Sequence, residues 1–153
     1  MNKKKLVDFL LKARTKTYAG NGGKVKPLLK NSKQLEYKEG EWIYRDVYYG
    51  GNGIFVGIET IYFKNKVVWS MSYYGNFKKM TEKEIDSILR VALLENWKTA
   101  RIWKRVVWEK GKYRYICEPD FGRSIEEMGG LEYILKNKRE VYKFFYTGGL
   151  FVK

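Results

Sequence analysis

Two glutamates carry the strongest chemical suggestion in this chain. Glu59 and Glu132 each stand two residues after a glycine, Gly57 or Gly130, and two before an isoleucine, Ile61 or Ile134. Residues two apart on a strand share a face, so if the isoleucines face a core, the carboxylates face it too. A partly buried carboxylate is a candidate for acid–base chemistry or for a structural ion pair. Recurrence of the same constellation within one chain favours the second role, because every copy of a folding unit needs its own hydrogen bonds whereas one active site does not need two. Glu59 and Glu132 are therefore expected to be structural carboxylates, each bonded locally. An enzyme using the two as paired carboxylates is the last-ranked reading.

Other chemistry is largely excluded by composition. The chain has no histidine, which removes Ser/His/Asp and Cys/His triads, the helical metalloprotease motif and most mixed Cys/His zinc sites. Its one cysteine, Cys117, cannot form an internal disulfide and is expected to be a small buried hydrophobe in a strand. Two glycine-rich stretches, 20–24 and 50–53, do not fit a phosphate loop, which needs a strand before it, a Lys followed by Ser or Thr, and a helix after it; the first follows a helix instead, and both are expected to be turns. No catalytic residue, metal ligand or cofactor is expected.

These residues need elements to hold them, and the chain provides the same set twice. Gly57 to Gly75 returns seventy-three residues later as Gly130 to Gly148: Gly57, Glu59, Ile61, Val68, Tyr73 and Gly75 reappear as Gly130, Glu132, Ile134, Val141, Tyr146 and Gly148. Upstream, Glu39, Gly40, Glu41, Trp42 and Tyr44 align with Lys110, Gly111, Lys112, Tyr113 and Tyr115. Such internal similarity reads as one unit used twice. Leu6, Phe9, Leu10 and Ala13 have the spacing of a helical face that Gly20 ends, and Thr81 with Glu84 forms a capping box ahead of Ile85, Ile88, Leu89, Ala92 and Leu93.

Strands are expected near 35–37, 41–49, 54–63 and 67–74, and again near 102–109, 112–117, 130–135 and 140–146, with turns at 64–66 and 136–138. The connections are too short for parallel crossovers. The expected fold class is α+β: an internally duplicated unit of one helix plus an antiparallel sheet of three to four strands, the copies related by a pseudo-twofold axis and their two sheets sharing a core. Residues 1–153 form a single compact domain of two repeats, 1–78 and 79–153. Met71 and Phe144, central on equivalent strand faces, are expected in that core.

The charge is the second strong feature. The formal net is +14, and residues 1–33 set ten basic side chains against Asp8 alone. A second cluster, Lys98, Arg101, Lys104, Arg105, Lys110, Lys112 and Arg114, is interleaved with Trp97, Trp103, Trp108, Tyr113 and Tyr115. Cations for phosphates beside rings for bases suit single-stranded nucleic acid, and Lys104, Arg105, Lys110, Lys112 and Arg114 are the candidate contacts. No apolar run is long enough to span a membrane, no signal peptide is expected, and the lone cysteine suits a cytoplasmic location.

Several separated motifs carry a family resemblance: Thr17 to Gly23; Leu35, Glu36 and Tyr37; Tyr44 to Gly51; and Val68 to Gly75. With these the chain resembles the family catalogued as domain of unknown function 5680. That family often stands behind a helix-turn-helix of the XRE type, so the resemblance implies a sensing or partner-binding part of a regulator. Residues 1–33 offer one helix and a glycine-rich loop, too little for such a DNA-reading motif. The first-ranked function is therefore a non-catalytic module that binds a small ligand or protein in a cleft between the repeats, linked to transcriptional regulation and lined by Tyr44, Trp69, Tyr73, Tyr115, Tyr142 and Tyr146. A nucleic-acid accessory protein is the alternative.

Overall fold

The computed structural model describes residues 2–101 and 104–151. It is an α+β protein in which few helices cover one large antiparallel sheet. Helix α1 spans Lys3–Lys16, with the Asn2 side chain accepting from the Lys5 backbone N–H as its N-cap. A second helix runs over 82–95. Thr81 and Glu84 close the expected capping box at its start, residues Ile85–Leu89 form a π-helical turn, and Arg90–Glu95 are α-helical again. Lys3 and Lys12 of α1 pair with Glu126 and Glu39.

Nine strands follow one another as β1 (Lys24–Val25), β2 (Lys33–Glu39), β3 (Trp42–Gly51), β4 (Ile54–Phe63), β5 (Lys66–Asn76), β6 (Val106–Lys110), β7 (Tyr113–Phe121), β8 (Glu127–Lys136) and β9 (Arg139–Leu150). They lie in the order β1-β2-β3-β4-β5-β9-β8-β7-β6, every pairing antiparallel. The hairpins are tight for a local reason. Lys64 and Asn65 in one, and Asn137 and Lys138 in the other, all have positive φ, the backbone a two-residue turn needs to match the right-handed strand twist.

The sheet is the main departure from expectation. Two sheets sharing a core were expected; there is one, because β5 and β9, which would otherwise be unpaired edges, hydrogen-bond to each other from Trp69↔Leu150 to Asn76↔Lys143. The two-residue strand β1 was not expected either. The expected start of β6 at Ile102, like Trp103 of the aromatic cluster, lies outside the described residues. Within strands the alternation is as read from sequence: Met71 and Phe144 are both buried.

Both helices pack on the same sheet face. Leu6, Phe9, Leu10 and Ala13 from α1 and Ile88, Leu89, Ala92 and Leu93 from the second helix join Tyr44, Ile61, Trp69, Met71, Tyr115, Ile134, Tyr142 and Phe144 in one core. The opposite face leaves Val56, Ile58, Tyr74 and Phe145 partly in solvent. No helix among the described residues is long and apolar enough to cross a membrane.

Candidate functional site

Strand register decides what faces what beneath the helices. On the inner face Asp46 of β3 lies directly opposite Glu59 of β4, which lies opposite Met71 of β5. Farther along the sheet, Cys117 of β7 lies opposite Glu132 of β8, which lies opposite Phe144 of β9. Both glutamates are almost wholly buried and both meet arginine. Glu132 takes a bidentate pair from Arg101, Nε at 3.0 Å and Nη2 at 2.6 Å, and accepts from the hydroxyls of Tyr115 at 2.5 Å and Tyr142 at 3.0 Å. Glu59 accepts from Arg14 Nε at 2.9 Å, and its other oxygen lies 3.9 Å from Arg101 Nη1. Such charges persist in a core only when partners compensate their lost hydration.

Arg101 is the hub of this network. Its backbone has φ 64°, in the left-handed region, which an arginine adopts at an energetic cost. Its N–H points to Cys117 Sγ at 3.3 Å and its guanidinium lies 4.2 Å from the centre of the Phe144 ring. Burial alone would lower its affinity for a proton, but Glu132 beside it raises it well above the usual value. In sequence Arg101 belongs to the basic cluster interleaved with aromatics; its side chain instead points inward, bridging Glu132 and Glu59.

Asp46 stands apart. It is 4% exposed, and Tyr73 donates its hydroxyl to Oδ1 at 2.5 Å. Among the described residues Asp46 has no ion-pair partner and Oδ2 accepts no hydrogen bond. Burial, reinforced by the charge of Glu59 across the strand pair, pushes its carboxyl up to about 7, against the Tyr73 hydroxyl and the more distant Arg101 and Arg14, which act to lower it. Glycine makes this contact sterically open: a Cβ on Gly57 would lie 2.4 Å from the Tyr73 hydroxyl oxygen.

Asp46 opens onto a cavity of about 830 Å³, within the size range of small-molecule sites. Its floor is Asp46, Glu59, Tyr73 and Arg101; Tyr18, Tyr48, Phe55, Phe77 and Phe144 supply aromatic walls; Ile85, Asp86 and Arg90 of the second helix close one side; and Lys24 and Lys33 stand at the periphery. Phe55 keeps its place because Gly75 has no side chain: a Cβ there would meet the ring at 2.0 Å. Arg90 is held by Asp86 at 2.7 Å and by the Tyr18 carbonyl, with its guanidinium 4.4 Å above the Tyr18 ring.

Of the six aromatics expected to line a ligand site, Tyr73 alone is at this cavity. Tyr44, Trp69, Tyr115, Tyr142 and Tyr146 are core residues with almost no exposure. The five candidate nucleic-acid contacts lie toward the β6 edge: Arg105 pairs with Glu118, Arg114 with Glu109, and Lys110 reaches the Ser87 carbonyl. Lys104 is exposed, and Lys112 lies 5.8 Å from the Tyr113 ring. The rings nearby are engaged, Trp108 Nε1 with Glu95 at 2.5 Å and the Tyr113 hydroxyl with Glu84 at 2.5 Å. Asp46, Tyr48, Phe55 and Arg101 are not among the site residues expected from sequence; what marks Asp46 is its place opposite Glu59, the position that Cys117 holds opposite Glu132.

The class these features define is a helix-covered antiparallel α+β protein with a polar-floored aromatic cavity. A family model described as domain of unknown function (DUF5680) matches residues 46–151; the chain belongs to that family. Comparison with curated proteins and with solved structures returns no match.

Proposed function

We propose that the protein is a non-catalytic ligand-sensing module, built from a duplicated unit, that holds a small aromatic molecule in the cavity above Asp46. Support for duplication comes from matching irregularities. The β4–β5 pair shifts register between Ile61 and Tyr62, and the β8–β9 pair between Ile134 and Leu135, seventy-three residues on. Tyr73 and Tyr146, equivalent in sequence, face each other across β5 and β9, where a pseudo-twofold axis would pass. The cavity then lies between the repeats, with sheet walls from the first and Ile85, Arg90, Arg101 and Phe144 from the second.

The observation that carries the binding reading is the buried Asp46 carboxyl, which has no cation partner among the described residues and opens onto an aromatic-walled cavity. Glu59 and Glu132, which serve the fold, each meet an arginine, whereas Asp46 is left to hold its proton or to meet a charge that comes from the cavity. The test is a screen of small soluble aromatic fragments by NMR at millimolar concentration. Binders should shift the ring resonances of Tyr48, Phe55, Tyr73, Phe77 and Phe144; a screen in which no fragment moves these resonances would refute the reading.

A further inference from the structure

Among the described residues, the charged network beneath the helices is one cation short. Three buried carboxyls, Asp46, Glu59 and Glu132, face two guanidiniums, Arg14 and Arg101. Arg101 is held by Glu132, with its third nitrogen toward Glu59; Arg14 gives its Nε to Glu59 and its Nη2 to the Met71 sulfur, and its buried Nη1 has no partner among the described residues, so neither guanidinium pairs with Asp46. The third carboxyl is the one that borders the cavity. Resting on the cavity-binding reading above, we propose that the ligand is a small aromatic cation, a protonated amine or amidinium, whose positive group pairs with Asp46 and whose ring packs among the partly exposed Tyr48, Phe55 and Phe77.

Three further observations point to this class. The other cations at the cavity are unsuited to neutralising Asp46: Arg90 is occupied by Asp86 and the Tyr18 carbonyl, and Lys24 and Lys33 are exposed. The walls are aromatic, and aromatic rings attract cations through their quadrupole. And the chain already contains the arrangement in its other half, where the Arg101 guanidinium lies over Phe144 while pairing with Glu132 in the row that ends at Cys117. On the Asp46 side no side chain among the described residues fills the corresponding role, which leaves it to the ligand.

The experiment is a calorimetric titration of the full chain with three probes of nearly one shape: benzamidine, a cation; benzamide, neutral; and benzoate, an anion. Benzamidine should bind about tenfold or more tighter than benzamide, the usual worth of a hydrogen bond to a charged group, and benzoate should be weakest. Asp46→Asn should abolish the advantage of benzamidine and leave benzamide within about twofold. Asp46→Cys, the residue of the other half, should do the same, and circular dichroism checks that both fold.

A pH series adds a second readout. The groups facing Asp46 are Glu59 from β4, Tyr73 from β5, Tyr48 and Tyr44 from its own strand, Arg14 from α1 and Arg101 after the second helix. Of these Asp46 is the one whose proton is held to about 7, so benzamidine affinity should rise between pH 6 and 8 in the wild type and stay flat in Asp46→Asn. Benzamide binding as tightly as benzamidine, or an Asp46→Asn protein that keeps the preference, would overturn the cationic class and leave the cavity reading standing. Tightest binding by benzoate would overturn it in favour of an anion. If none of the three probes binds, the cationic class falls, and the fragment screen decides the cavity reading separately.

Discussion

Replacing Asp46 by Asn should make the protein more stable, and increasingly so as pH rises from about 4 to 7. The native carboxyl holds its proton to about 7 whereas an unfolded aspartate loses it near 3.8. Between those values the native state binds more protons than the unfolded one, so stability falls with rising pH, and the full cost is present above the native value. A difference of that size corresponds to about 4 kcal/mol, and to about half that where water in the cavity solvates the charge. Asn keeps an acceptor for the Tyr73 hydroxyl and carries no charge at any pH, so it should behave as the protonated form does. Urea denaturation of both proteins from pH 4 to pH 8.5 would measure the difference directly. The expected result is near equality at pH 4 and a gain of about 2 to 4 kcal/mol for Asp46→Asn above pH 7.5, or roughly 4 to 16 °C in Tm for a chain of this size. A difference independent of pH, or a wild type that is the more stable above pH 7, would refute the argument that Asp46 is a buried, cation-poor carboxyl.

The two glutamates should respond unequally. Glu132→Gln leaves Arg101 buried without its bidentate partner and should lose about 3 to 5 kcal/mol, whereas Glu59→Gln, whose Arg14 is nearer solvent, should lose about 1 to 3 kcal/mol; equal losses in urea melts would contradict the central role of Arg101. Gly57→Ala should displace the Tyr73 hydroxyl from Asp46 and destabilise by about 1 to 3 kcal/mol, and adding Tyr73→Phe to it should change stability by under about 0.5 kcal/mol, since the shared contact is already gone. Burial, reinforced by the nearby Glu132, pushes the Cys117 thiol up to about 11, so the folded protein should resist a thiol-specific reagent at pH 8 and react at once in urea; fast labelling of the native state would show that Cys117 is accessible.

What was legible in the sequence was local. Alternating apolar residues bounded by Lys64 and Asn65, or by Asn137 and Lys138, specify a hairpin within about twenty residues, and the side of the strand follows from period two. The Thr81–Glu84 cap was likewise readable, as its two hydrogen bonds span three residues. The union of β5 with β9 was not, because that pairing joins residues some seventy positions apart and nothing in either strand announces its partner. Site residues failed for the same reason. Tyr44, Trp69, Tyr115 and Tyr142 satisfy every local criterion for a cavity wall, but whether a ring meets a cavity or a helix depends on where α1 and the second helix lie. Arg101 reads as a surface cation until its left-handed backbone turns it inward. Asp46 acquires meaning only opposite Glu59.

The two glutamate rows of the sheet differ for a physical reason. In the row that holds Glu132, Arg101 occupies the space above Phe144 and donates its backbone N–H to Cys117, so an aspartate in place of that thiol would face a saturated guanidinium and gain little from it. In the row that holds Glu59, the arginine arrives from α1 and reaches Glu59 Oε2 and the sulfur of Met71 instead, leaving the strand position next to Glu59 uncovered. A carboxyl can occupy that position only by holding its proton or by meeting a cation from outside. Asp46 therefore couples the stability of the sheet to what enters the cavity: a bound cation would relieve the cost of ionisation, so a ligand of that kind should raise Tm most above pH 7, where the unliganded protein bears that cost in full. Thermal melts of the wild type with and without saturating benzamidine at pH 5 and pH 8 would show this. A larger increase at pH 8 is expected, and an increase equal at both pH values, or larger at pH 5, would break the link between the Asp46 charge and the ligand.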